Sequence, residues 1–337
     1  MKKFTFIAVA AVLLTFSSCS KKYTETFAPE ERALNMMKIT NEANNNVVGV
    51  AIYGGMPRRF VATDFGGNKK AGMHWGTARR LSISPDGTEL AFLNYANKQT
   101  NVMIRSAFSQ AASTQRTTRN VYDFSWGDDG KIYFSDHPDN ENWQISAVDS
   151  HLGNLVRQMT SNNIDANPVV STDGKVLFFT RIDKSGPSVW SYNIETGALT
   201  NCAIGYNPCV IAGNNNQFIC VRNSTAGNSE IWLVDYVLGQ ETAILSDVNT
   251  SYTNPDVSPD GRWIVCQGNA KSNITKKNNL DIFAVRMDGT SKTQLTYHPY
   301  TDCCPVFSKD GNYIYFLSRR ANKDDYFNVW RMPFKGM

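Results

Sequence analysis

Four histidines are all that 337 residues provide: His74, His137, His151 and His298. None belongs to a His-Glu-x-x-His pair or to a close cluster, which removes the common zinc-hydrolase pattern. Each is expected in a loop or on the surface. No Gly-x-Ser-x-Gly elbow is present, so a serine hydrolase built on that turn is excluded. Charge is sparse: Asp, Glu, Lys and Arg make up 19% of the chain, and the net charge is +4. No run of Lys or Arg stands out, whereas nucleic acid asks for a clustered basic face. The apolar run Phe4 to Phe16 is shorter than the about 20 residues that span a bilayer.

What is abundant is one small unit. Ser258-Pro259-Asp260-Gly261 runs into Trp263-Ile264-Val265-Cys266. Pro suits the first central position of a type I turn, and Gly supplies the left-handed residue after it. The unit recurs at Ser84-Pro85-Asp86-Gly87, Asp128-Asp129-Gly130, Ser171-Thr172-Asp173-Gly174 and Ser308-Lys309-Asp310-Gly311. A worn copy lies near Ala212-Gly213-Asn214-Asn215, aligned on Asn214. The turn residues then fall at 86, 129, 173, 214, 260 and 310. A period of roughly 40–50 residues with several short strands per unit marks a β-propeller. The expected fold is all-β: a six-bladed β-propeller of four-stranded antiparallel blades. Trp190, Trp232, Phe283 and Trp330 recur on third strands and should pack between blades. Cys220 and Cys266 occupy the place of Phe92, Phe179 and Phe316, so both should be buried.

The last blade runs out of chain after Asn328 to Phe334. An N-terminal strand, sought within residues 47–63, should supply its missing fourth strand and close the ring, removing exposed edges. Residues 1–18 read as a secretory signal: Lys2 and Lys3, an apolar run, then Ser17-Ser18 before Cys19. Residues 19–46 read as a tether with a short helix opened by Pro29-Glu30-Glu31, and 47–337 as the propeller.

The unit Pro255-Asp256-Val257-Ser258-Pro259-Asp260-Gly261 resembles the repeat of TolB-like propellers. The same repeat occurs in the propellers of prolyl-oligopeptidase-type peptidases and of oligogalacturonate lyases. The signal with Cys19 resembles that of an envelope lipoprotein of Bacteroides type. The resemblances imply lipidation at Cys19, an outer-membrane location through a lipid anchor only, and a monomer that binds an envelope protein or peptide. TolB proteins carry a further α/β domain before the propeller, which the short tether does not match. A glycan-binding surface lipoprotein is the alternative. A metal-dependent lyase of oligogalacturonate-lyase type ranks last, since the later blades lack its close His/Gln group.

The residues entering each inner strand should ring one mouth of the channel. They are His74 and Trp75, Asp123, Asp165 and Asn167, Tyr206 and Asn207, Tyr252 and Asn254, and Tyr300 and Asp302. The mouth would grip a peptide, a sugar or a cation, with Ca²⁺ as the hard ion that Asp123, Asp165 and Asp302 suit. No other cofactor is expected and no residue is assigned to catalysis. For the Asn-Pro steps the competing reading is structural: Asn caps a loop and Pro fixes the strand entry. Two disulfides come into question, Cys202–Cys209 across a turn and a strained Cys303–Cys304 ring. Reduced or separately buried thiols are the alternative for the second pair.

Overall fold

A computed structural model describes residues 23–40, 46–47, 79–96, 99–109, 112–136, 143–153, 156–161, 163–320 and 327–336. Its strands form six antiparallel sheets arranged as the blades of a β-propeller. Blade three shows the pattern: Ile164–Val170 innermost, then Val176–Asp183, Gly186–Asn193 and Leu199–Ile204 outermost. The other inner strands are Leu81–Ile83, Val121–Trp126, Tyr206–Ile211, Tyr252–Val257 and Asp302–Phe307.

The recurring turn joins each inner strand to the second, and its side chains explain the motif. Ser258 Oγ donates to Asp260 Oδ1 at 2.6 Å and accepts the Trp263 N–H at 2.9 Å. Asp260 Oδ1 in turn accepts the Arg262 N–H at 3.1 Å. Blades one, three and six repeat this Ser–Asp lock. The Gly has φ of 71° in blade five, a left-handed conformation that costs a Cβ-bearing residue about 1–2 kcal/mol. In the fourth copy the left-handed residue is Gly213, between Ile211 and the strand that begins at Asn214. Ala212, rather than Asn214, therefore stands where the other turns have Asp.

Phe92, Phe179, Cys220, Cys266 and Phe316 are all buried, so the two cysteines are core residues as expected. The recurring third-strand aromatics pack as wedges, and several carry an Arg on one face. Arg181 lies 4.8 Å from the Trp190 ring centre and Arg222 lies 4.7 Å from that of Trp232.

The ring closes with an N-terminal strand, but not one within 47–63. Met37–Lys38 pairs with Asn328–Pro333 and becomes the outermost strand of blade six. Two residues give no readable β alternation, which hid the strand inside the supposed tether. Asn46–Val47 instead extend the inner edge of blade one, pairing with Tyr95 and Asn94 beyond the stretch held by Leu81–Ile83. The remainder of 48–63 lies outside the described residues, as do Cys19, His74 and Trp75.

The segment before Met37 is fastened by one acid. Pro29–Glu31 forms a single turn of 3-10 helix. The fully buried Glu31 carboxylate accepts from the backbone N–H of Ala28, Tyr297 and His298 at 3.0, 2.7 and 3.1 Å. Arg320 reaches the same carboxylate with both arms, at 2.9 Å from Nη1 and 3.1 Å from Nη2, and Nη2 also pairs with Asp302.

Candidate functional site

The residues expected to ring a mouth form something else. Asn167, Asn207, Asn254 and Cys304 have φ of 52°, 53°, 49° and 52°, and each falls where the register of its inner strand shifts. A bulge with a left-handed residue turns that side chain out of the strand's alternation. Asn tolerates this conformation better than most residues, which is one reason three blades use it.

The turned side chains join into a buried polar belt. Asp123 accepts from Ser135 Oγ and from Asn167, whose backbone N–H and Nδ2 lie 3.0 and 2.5 Å from Oδ2. Thr180 Oγ1 donates to Asn167 Oδ1 and accepts the Asn207 N–H, both at 2.9 Å. Asn207 Nδ2 donates to Asn254 Oδ1 at 3.0 Å, and Asn254 Nδ2 donates to Gln267 Oε1 at 3.2 Å. Gln267 Oε1 also accepts the Cys304 N–H at 3.0 Å. Burial raises Asp123 to about 6, against the hydrogen bonds from Ser135 and Asn167. The belt thus links blades two to six and is closed to solvent, so these side chains are structural rather than a gripping mouth.

The other expected site residues are likewise committed. Asp165 holds Arg181 in a two-bond fork at 2.7 and 2.9 Å. Asp302, raised to about 6 by burial, is paired with Arg320. Tyr206 and Tyr252 are buried; the Tyr206 hydroxyl bonds Asn223 and Ser229, and that of Tyr252 accepts from Lys292. Half-buried Tyr300 donates to the Tyr23 carbonyl at 3.3 Å. These Tyr rings do not stand open for a sugar to stack on. His298 corrects the surface assignment. It is buried, touches Tyr23 and Tyr300, and is pushed down to about 4, first by burial and then by Arg320. His151 is exposed as expected.

None of the six described cysteines is in a disulfide. Cys202 lies on the outermost strand of blade three and Cys209 on the innermost of blade four and the two are not bonded, and Cys303 and Cys304 are separate buried thiols, the second of the two readings for that pair. A hydrogen bond from Cys303 holds the Cys304 thiol below its ordinary range, against burial. Among the described residues no group of three or more His, Cys, Asp or Glu is arranged to hold a metal ion.

The channel opens at the opposite end, on the face carrying the recurring turns. A funnel of about 480 Å³ is lined from all six blades. That volume falls in the roughly 300–1,000 Å³ range of small-ligand sites. Its walls are mixed: Ile83, Trp126, Val169, Val210, Val257 and Val306 supply one apolar side chain per blade, among the polar Ser82, Ser125, Thr172 and Ser308. Its rim carries an ion pair, Lys309 Nζ to Asp128 Oδ1 at 2.7 Å, that reaches from blade six to blade two. Deep inside lies Arg79, which crosses from the entry of blade one to the Pro208 and Pro255 carbonyls, each at 3.4 Å. Asp256 lines the funnel beside it, accepting the Phe307 N–H at 2.8 Å, and burial raises its carboxyl against the pull of Arg79. Burial pushes the neighbouring Cys209 thiol up to about 12, so it stays protonated and unreactive at neutral pH. Sequence reasoning missed the funnel because it placed the open mouth at the wrong end. Val169 and Val306 follow Pro168 and Pro305 directly, and Val210 and Val257 follow Pro208 and Pro255 by two residues, a recurring Val that was the available signal.

Comparison with known proteins gives fold neighbours. No family model matches the chain. The structure is similar to that of a putative TolB from Agrobacterium tumefaciens, with a TM-score of 0.56 and 17% identity, covering 77% of this chain and 90% of that one. It is also similar to an oligogalacturonate lyase from Vibrio parahaemolyticus, with a TM-score of 0.59 and 11% identity, covering 92% and 96%. A 97-residue stretch is 32% identical to the uncharacterized protein Atu1656 of Agrobacterium fabrum, spanning 29% of this chain and 31% of that protein. The likenesses to solved structures are ones of fold: the chain is a six-bladed β-propeller, as these neighbours are in the part they share with it.

Proposed function

We propose that this chain is a binding module without catalysis, which holds a segment of a partner protein in the turn-face funnel. The observation that carries the reading is the funnel itself: a cavity to which every blade contributes an apolar side chain, with charge only at rim and floor. Loops and strand ends held by a rigid scaffold suit recognition. The turn face also carries exposed apolar side chains farther out than the funnel. Phe108, Leu152, Val237 and Leu238 are 71%, 71%, 60% and 68% exposed. They sit at or just beyond the ends of third strands, which antiparallel order places at the same end as the recurring turns. A macromolecular partner would cover them; a small sugar would not.

The same reading places the chain in the cell envelope, on the strength of Lys2-Lys3, the apolar run and Cys19, with lipidation at Cys19 as its anchor. The test compares the parent with Ala212→Trp, a substitution at an exposed rim position. A partner retained from envelope extract by the parent, then purified and titrated, should bind the parent and lose binding to the variant. Equal binding to both, or thermal stabilisation by members of an envelope glycan panel with release of unsaturated sugars, would overturn the reading.

A further inference from the structure

We propose, resting on the funnel-binding reading, that the funnel recognises the C-terminal end of its partner: the α-carboxylate seats on Arg79 and the last apolar side chains lie against Val169, Val210, Val257 and Val306. Three observations point this way. First, Arg79 is the cation at the floor of the cavity, and its hydrogen bonds to oxygen there are two contacts of 3.4 Å to carbonyls, beside a contact with the Cys209 thiol. Elsewhere in the molecule an Arg facing a carboxylate makes a tight fork, as Arg181 does with Asp165 at 2.7 and 2.9 Å. A planar guanidinium matches a carboxylate in two parallel bonds, and a terminal carboxylate would complete that geometry.

Second, two polar side chains of funnel-lining residues are buried without a hydrogen-bond partner: the hydroxyl of Ser125 and the indole N–H of Trp126. These residues are 4% and 7% exposed. The indole N–H can only donate, so its missing partner is an acceptor, and an extended peptide offers one carbonyl per residue. Leaving such a group unmet costs about 1–3 kcal/mol, and a bound main chain would remove that cost.

Third, the acid beside Arg79 does not block the approach. Asp256 is anchored by the Phe307 N–H, and its burial favours the neutral carboxyl. An incoming carboxylate strengthens that preference, so binding should take up a proton when Asp256 starts ionised. The exposed Phe108, Leu152, Val237 and Leu238 on the same face favour a protein's end over a free small carboxylate.

The experiment titrates the full chain with fluorescein-labelled hexapeptides ending in Val, Leu, Ile or Phe. Each is made as the free acid and as the C-terminal amide. The expected result is binding of at least one free acid, with its amide weaker by about ten- to a hundredfold, the loss of a charge-assisted pair. Arg79→Gln should bring the acid down to the amide's level, and Ala212→Trp should abolish both. If Arg79→Gln does not fold, Arg79→Lys takes its place. It keeps the charge without the fork and should bind acids more weakly than the parent does. Acids and amides of equal affinity, both lost in Ala212→Trp, would overturn the carboxylate assignment while leaving the funnel as a peptide site. Silence from every peptide in both forms would overturn the funnel reading as well.

Discussion

Removing the Glu31 charge should loosen the ring more than any surface change of similar size. Glu31 and Arg320 are both fully buried, and the Glu31 carboxylate is the acceptor for three backbone N–H groups and both arms of Arg320. Breaking one partner of a buried pair costs about 3–5 kcal/mol, because the other charge stays buried without compensation. Arg320 keeps Asp302, which places Glu31→Gln toward the lower end, at about 3 kcal/mol. At roughly 2–4 °C per kcal/mol for a domain of comparable size, the melting point should fall by about 6–12 °C. Arg320→Met should cost at least as much, since Glu31 and Asp302 then face each other without their shared cation. The double variant should cost less than the sum of the two, since it removes the charge that each single change leaves stranded. Urea denaturation of the four proteins at pH 7 provides the cycle. Single changes of under about 1 kcal/mol, or costs that add, would refute the claim that this pair fastens the N-terminal segment and with it the closing strand.

Asp281 makes stability depend on alkaline pH. It is raised to about 9, first by burial and then by the nearby Asp302 and Glu31. A folded-state value above the unfolded one means that its contribution is fully present below about pH 4 and is lost as pH rises through 9. Stability should therefore fall between pH 6.5 and 9 by up to about 1.4 kcal/mol per unit, and Asp281→Asn should flatten that slope; a parent curve that rises in this window contradicts the assignment. His298, held down to about 4, acts in the opposite sense, with its contribution lost as pH falls from 6.5 toward 4, which is why the test stays above that range. In the belt, Asn167→Ala should cost more than Asn167→Gly by about 1 kcal/mol, because both lose the side-chain bonds but only Ala pays for φ of 52°; equal melting points would deny the left-handed bulge. Gly205→Ala should destabilise strongly, since φ is 136° and a Cβ there would lie 2.8 Å from the Val221 carbonyl oxygen; an unchanged melting point would mean the junction of blades three and four is not as close as described.

The fold was legible because its determinants are local and repeated. Each Ser-Pro-Asp-Gly turn carries its own side-chain lock, so every copy announces a strand pair without reference to the others. The worn fourth copy was misaligned because Ala212 has no side-chain acceptor with which to make that lock. What decides the site is not local. Apart from Ala28, the partners of Glu31 lie 266 to 289 residues away in sequence, so neither its burial nor the closure at Met37–Lys38 leaves a pattern. The Asn-Pro steps were seen, but their placement before the inner strands suggested an open mouth. The left-handed backbone at Asn167, Asn207 and Asn254 instead folds those side chains onto one another. Arg79 belongs to no motif, and its place in the funnel follows only from how the six inner strands converge.

The most direct test of the central claim, that the turn face rather than the belt end receives the partner, is site-specific photocrosslinking. A benzophenone side chain would be placed at Ala212 on the funnel rim, and in a second protein at Ile204, which is 76% exposed at the opposite end of blade three. The account predicts a partner adduct from Ala212 and none from Ile204. An adduct from Ile204 alone would contradict it.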